Sequence, residues 1–457
     1  MKKEEFEYYL NLALSTGADY AEIYYEETKN NHYNLYDSKL DTIASNLEKG
    51  LGIRVTKGKE SFYTSTSSFK KEIVEECIKK LLNNFPQKLG KKVKLNEIEN
   101  NETEALIPHD KYPIEKKKEL LYKIDKIARE TSPYVVQVSA GIVETDKKFV
   151  VANSNKTYTC GNSFLTRIVA TVYTERDGIK EREFTDFGRR KGYELLEEWN
   201  LEEKMRKTAK TAVEKLDAVD FKGGEMPVIM APGFGAVIFH EACGHGLEAT
   251  SVAPHLSVFS DDLGKMIASP KVTLIDDGTI PGAWGSSIID DEGKKTEKNI
   301  LIENGILKKY LVDSFNSKQM KMTPNGCGRR ESFYYAPTSR MSNTYLAPGN
   351  DKIEDMVKSI KYGVFCEKMS GGSVNPATGD FNFAVDTARL IENGERKHLL
   401  RGVTLIGNSK DILKNVEMVS DDLEISAGYC GSKSGTIPVT IGEPTIKVSK
   451  ILVGGKE

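Results

Sequence analysis

Asp220-Phe221-Lys222-Gly223-Gly224, then Pro227-Val228-Ile229-Met230, then His240-Glu241-Ala242-Cys243-Gly244-His245 is the stretch that divides this chain. Paired glycines beside charged residues make a linker, because glycine leaves the backbone without a preferred conformation. Pro227 to Met230 is short and apolar and reads as a buried strand. Pro232-Gly233 then opens the run Phe234-Gly235-Ala236-Val237-Ile238-Phe239, whose small and apolar residues predict a buried helix leading into His240. Before the linker, helical and strand patterns alternate. After it, glycine turns and short strands dominate. The expectation is an α+β chain: an N-terminal α/β domain of antiparallel strands and helices over 1–220, and a C-terminal β-rich domain over 221–457 carrying the buried helix.

Working back from the linker, a helix is predicted over about 193–216 and strands over 135–143, 149–152, 167–173 and 181–185. Another helix covers 114–131 and stops before Pro133, since proline disfavours a helical residue before it. Residues 87–112 are rich in Lys, Asn and Glu and predict a surface loop. A helix over about 69–85, ended by Pro86, has Phe69, Ile73, Val74, Ile78 and Leu81 in helical spacing and puts Cys77 on its core face. Strands over 21–25, 33–36 and 50–56 precede it. The chain opens with an amphipathic helix over 3–16, Phe6, Leu10, Ala13 and Leu14 on one side and Gly17 as its stop. The turn Tyr36-Asp37-Ser38-Lys39-Leu40 and the turn Ala152-Asn153-Ser154-Asn155-Lys156 occupy matching places in a weak internal repeat. Forward of the linker, short strands are predicted at 271–275, 300–302, 389–392, 403–406 and 436–439.

With 457 residues, 39 % hydrophobic and 29 % charged, the chain is long enough for two or three folded domains of ~150 residues each. A formal net charge of −2 gives no basis for a nucleic-acid or anionic-membrane partner. No apolar run approaches the ~20 residues that span a bilayer, and the first residues lack a signal-peptide core. The expectation is a cytoplasmic protein. The six cysteines, at 77, 160, 243, 327, 366 and 430, form no Cys-x-x-Cys pair, which argues against a disulfide framework and a four-cysteine zinc module.

Two of the six histidines fall within six residues, with Glu241 between them. Imidazole nitrogens suit Zn²⁺, and a neighbouring carboxylate can serve as general base. On an ideal helix His240 and His245 stand about 140° apart. Sharing one metal therefore requires a distortion such as a π-bulge, which Gly244 would make cheap. A catalytic site needs a third protein ligand. Cys243, Glu248, His255 and the distant cysteines are candidates, among them Cys430 in Ala427-Gly428-Tyr429-Cys430-Gly431, which reads as a glycine-flanked loop.

Further stretches complete a pattern: Asp276-Asp277-Gly278-Thr279, Ile289-Asp290-Asp291-Glu292-Gly293, Gly328-Arg329-Arg330-Glu331-Ser332, Gly371-Gly372, Leu405-Ile406-Gly407-Asn408 and Gly442-Glu443-Pro444-Thr445. With His240, Glu241 and His245 as its His-Glu-x-x-x-His element, the chain resembles the TldD/PmbA metalloproteases over nearly its whole length. The resemblance implies zinc held by His240, His245 and Cys430, with Glu241 as general base, and the full motif implies the catalytic, TldD-like type. It also implies small, extended or unfolded peptides as substrates. The implied assembly is a dimer, of two copies or with a relative lacking the zinc motif. Cys327 departs from the family run and bears on local packing. Arg329 and Arg330 suit a substrate carboxylate or a developing oxyanion; surface salt bridges are the plain alternative. Two other functions use the same residues: a zinc amidase acting on non-peptide amides, and a peptide-binding partner subunit whose metal is structural.

Overall fold

The computed structural model describes residues 1–15, 17–83, 92–233 and 237–455. The N-terminal half runs α1 (Lys3–Leu14), β1 (Tyr20–Tyr36), β2 (Lys39–Lys57), β3 (Glu60–Thr66), α2 (Lys71–Leu82), β4 (Glu99–Asn101), α3 (Ile114–Thr131), β5 (Val135–Asn153), β6 (Tyr158–Arg176), β7 (Ile179–Arg189) and α4 (Leu201–Lys215). One sheet takes the order β3-β2-β1-β5-β6, with β7 and the short β4 both on the outer side of β6. Helix, three strands, helix thus occurs twice, and the two units meet where β1 pairs antiparallel with β5. The two turns noted above lie at opposite ends of that pair: Tyr36 faces Ser139, and Ser154 bonds to Ala21.

The strands are longer than the hydrophobic pattern predicts. The segments 21–25 and 33–36 belong to one strand of 17 residues, and 135–143 and 149–152 to one of 19. The reason is polar burial. Glu26, Asn31 and Glu144 face inward, Asn31 donating to Glu144 at 2.8 Å, the Thr28 hydroxyl donating to Glu26 and Lys147 lying 3.2 Å from Glu26. Strand periodicity read from apolar residues alone misses such a stretch. The helix expected over 193–216 is split into a 3₁₀ turn, Tyr193–Glu197, and α4, because the Asn200 side chain accepts from the Glu203 N–H and starts a new helix. Cys77 is half-buried against the α1 core, but Phe69 and Ile73 are exposed. The stop at Phe85-Pro86, the loop residues 87–91 and the run Phe234-Gly235-Ala236 lie outside the described residues.

The C-terminal half is built on two sheets. Strands β8 (Gly224–Met230), β15 (Tyr362–Val374), β16 (Asp380–Glu392), β18 (Thr404–Asn408) and β22 (Ile446–Gly454) close into a barrel, because β15 pairs with both β8 and β16. β17 (Glu395–Leu400) and β19 (Val416–Val419) pair outside that ring, with β16 and β22. The second sheet has the order β11 (Ile306–Leu307), β10 (Lys298–Glu303), β9 (Leu274–Asp277), β14 (Asn343–Leu346), β21 (Gly435–Glu443), β20 (Glu424–Ser432), so β20 is its edge. A two-stranded ribbon joins β12 (Gly328–Arg329) to β13 (Thr338–Ser339). Helix α5 (Val237–Ala242) packs against strands of both sheets and buries Ile238 and Phe239 in the largest apolar core. The strand expected at 271–275 begins only at Leu274. Among the described residues no helix is long and apolar enough to cross a membrane.

Buried ion pairs tie the halves together. Arg54 lies 2.6 Å from Glu292, and Arg330 lies 2.6 Å from Glu22, its guanidinium 4.0 Å above the Tyr24 ring. Arg330 is therefore not a surface salt bridge; it is a fully buried strut between the two halves. Removing one partner of such a pair leaves an uncompensated charge in the interior, a loss of about 3–5 kcal/mol.

Candidate metal centre

The five-residue spacing of the histidines is resolved by leaving the helix. α5 ends at Ala242, Cys243 adopts φ −121° and ψ −52°, and Gly244–Leu247 turns as a 3₁₀ helix that carries His245. The break replaces the expected π-bulge. Gly244 is needed for room: a Cβ there would sit 2.0 Å from the Met341 sulfur. The His240 and His245 rings come to 5.2 Å between centroids at 85°.

Cys430 approaches from the second sheet. It lies within β20, opposite Ile437 of β21, and not in a loop. A Cβ at Gly431 would meet almost nothing, so the alternation of strand side chains aims the thiol, not glycine freedom. Donor atoms of His240, His245 and Cys430 all lie within 4.8 Å of one another. The Cys430 sulfur is 3.1 Å from His245 Nε2, and His240 Nδ1 is buried without a hydrogen-bond partner among the described residues. Burial alone would push the Cys430 thiol up. The adjoining His240 and His245 outweigh it and bring the thiol down to about 3.

The other candidates separate cleanly. Cys243 is buried in the apolar core, where burial pushes its thiol up and nothing stabilises a thiolate. His255 is exposed in a left-handed turn, 3.7 Å from Asp261. Glu248 stands 3.2 Å from His245 Nδ1, a carboxylate placed to orient the ring and hold its proton on Nδ1. Glu241 places a carboxylate oxygen 3.6 Å from His245 Nε2. Arg340, which no sequence pattern marks, donates to the Cys430 carbonyl and lies 3.9 Å from Glu248. Two imidazoles and a thiolate are a donor set that zinc accepts, with a fourth position left over. The residues present fit such an ion.

The model of the PmbA/TldA metallopeptidase C-terminal domain matches residues 223–455, that of domain 1 matches 21–85, and that of the central domain matches 107–218. The chain belongs to the PmbA/TldD metallopeptidase family. A Buchnera aphidicola relative, named a metalloprotease TldD homolog, is 32 % identical over 96 % of this chain and 93 % of its own. A Saccharolobus solfataricus relative, named a zinc metalloprotease TldD homolog, is 26 % identical over 98 % of this chain and 99 % of its own. The crystal structure of TldE from Thermococcus kodakarensis shares the fold, with a TM-score of 0.76 and 23 % identity over 99 % of this chain and 98 % of that one. As a PmbA/TldD metallopeptidase, the chain carries its candidate His-His-Cys cluster within the segment matched by the C-terminal domain model.

Proposed function

We propose that this chain is a zinc peptidase of the TldD-like type, with His240, His245 and Cys430 as ligands and Glu241 as general base, acting on small, extended or unfolded peptides. The observation that carries the reading is the meeting of two imidazoles and a thiolate from separate elements, with the Glu241 carboxylate 3.6 Å from His245. Held by His240, His245 and Cys430, zinc would supply Lewis acidity toward the scissile carbonyl and a water. Glu241 takes the proton of the attacking water and returns it to the leaving amine. Glu248 keeps His245 oriented through Nδ1. Because β20 is a sheet edge, an extended peptide can add to it as a strand through main-chain hydrogen bonds, with loose sequence preference. Glu241→Gln tests the reading: it should keep its metal and lose about 10²-fold or more in kcat on an unfolded peptide. Near-normal turnover with the metal present would remove Glu241 from the chemistry.

The same proposal includes a dimer, of two copies or with a relative lacking the histidine motif, in the cytoplasm, where the six unpaired cysteines are at home. From 41 to 49, β2 is exposed throughout, and β3 covers it only from Leu51 onward. Antiparallel self-pairing about Ser45 sets Asp41 against Lys49 and Ile43 against Leu47, so this open edge fits a second copy. Light scattering should give a dimer that Ile43→Glu dissociates; a monomeric parent chain at micromolar concentration would contradict it.

A further inference from the structure

Between the N-terminal sheet and the C-terminal half lies a cavity of about 490 Å³ that the candidate metal ligands do not line. Three guanidiniums, Arg190, Arg329 and Arg330, and the Lys147 ammonium border it; Arg330 and Lys147 are paired with Glu22 and Glu26. Arg190 donates to the Ser286 carbonyl at 2.7 Å and to the Asn162 carbonyl. Arg329 donates to the carbonyls of Met341 at 2.6 Å and Pro438 at 2.7 Å. Neither forms an ion pair with a carboxylate among the described residues. That sets them apart from their neighbours, since Arg54, Arg330 and Lys147 all have carboxylate partners.

Five carboxylates, Glu26, Glu48, Asp290, Asp291 and Glu331, share the wall. Glu26 accepts from the Thr28 hydroxyl and lies 3.2 Å from Lys147, Glu48 accepts from the Asn46 amide, and Glu331 accepts the Thr436 N–H. Asp290 accepts the backbone N–H groups of Glu292, Lys294 and Gly328. Asp291 accepts from the Arg330 N–H and the Tyr24 hydroxyl and lies 3.7 Å from Lys147. Carbonyl oxygens hold the Arg190 and Arg329 guanidiniums in place without cancelling their charge. A guanidinium has five N–H donors, so each keeps donors to spare. Burial, with Arg329 nearby, lowers Arg190 to about 10, the mark of a cation short of a counter-ion. Trp284, Phe149, Leu165 and Tyr429 supply apolar wall beside the charges, the mixture typical of a small-ligand pocket.

We propose that this cavity is a carboxylate site in which Arg190 and Arg329 bind the free carboxylate of a residue whose apolar or aromatic side chain lies on Trp284, Phe149 and Tyr429. Pre-positioned guanidinium forks match a carboxylate in shape and charge. Tyr429 and Cys430 are neighbours in β20, and their side chains leave opposite faces of the strand. The site therefore backs onto the strand that carries the candidate thiolate ligand. Two sources share the chemistry: the C-terminus of a substrate peptide passing round the β20 edge, or a free acid such as a released short peptide. Only the first rests on the peptidase reading.

Calorimetric titration of the full chain with N-acetyl-L-phenylalanine and with its carboxamide tests the site without any turnover. The acid should bind at least about tenfold tighter than the amide, and Arg190→Gln should remove that preference. An acid held by the metal centre instead would ignore Arg190→Gln. Arg329→Gln disturbs a contact to Pro438 beside the Cys430 hairpin, so Arg190→Gln, with its thermal unfolding checked, is the deciding variant. A second arm compares KM for one peptide with a free or an amidated C-terminus. A lower KM for the free form, lost in Arg190→Gln, assigns the site to the substrate's C-terminus. Equal KM values with intact acid binding assign it to a free acid. Acid and amide binding within about threefold of each other, or undiminished acid binding by Arg190→Gln, overturns the proposal.

Discussion

The carboxylate of Glu248 stands 3.2 Å from Nδ1 of His245, while the other ring nitrogen faces the Cys430 sulfur at 3.1 Å. One short turn thus supplies both a candidate ligand and the group that orients it. Partners of this kind set the tautomer and raise ligand basicity, and losing one weakens metal binding about 10- to 100-fold. Glu248→Ala, with its fold checked by circular dichroism because the change also strips buried Arg340 of its carboxylate, is expected to lower metal affinity by that factor, measured by competition with a chromogenic chelator. Affinity equal to that of the parent chain would make Glu248 a bystander.

Glu443 offers a prediction in pH. It is fully buried, and neither carboxylate oxygen has a hydrogen-bond partner among the described residues. Burial first, and the charge of Asp422 second, hold its carboxyl well above the usual range. The sign follows from linkage. The unfolded chain ionises near the ordinary value while the folded chain resists, so Glu443 lowers folded stability progressively as pH rises above the unfolded value. Glu443→Gln removes that burden. Its melting temperature should match the parent chain near pH 4.5 and exceed it increasingly toward pH 8. A gap that does not change between those pH values would show that ionisation at this position does not matter.

Much of this was legible in the sequence, for identifiable reasons. Amphipathic helices such as Ile114–Thr131 show their spacing directly, and the glycine pair before β8 marks the passage to the second set of sheets. His240, Glu241 and His245 stand out because histidine is scarce in this chain. What stayed hidden depends on partners far away in sequence. The continuity of β1 rests on polar residues satisfied across the sheet from β5. The need for Gly244 comes from Met341. Arg330 reads as a ligand for a substrate carboxylate or as a surface salt bridge until Glu22 is found beside it, 308 residues away in the chain. Arg340 acts through the carbonyl of Cys430 and through Glu248, neither of which lies near it in sequence. Cys430 reads as a loop residue because the glycines around it mask a strand whose partner, β21, sets its direction.

The central claim is that a metal is held jointly by α5, the turn after it and the edge strand β20, and metal stoichiometry in two cysteine variants tests it most directly. Cys430 meets both histidines, whereas Cys243, next to them in sequence, is turned into the apolar core. A neutral hydroxyl is a poor replacement for thiolate. Zinc per chain, counted by elemental analysis alongside peptide cleavage, should fall close to zero in Cys430→Ser and stay at the parent value in Cys243→Ser, with at most some lost stability from a buried hydroxyl. Zinc retained by Cys430→Ser and lost by Cys243→Ser would contradict the account.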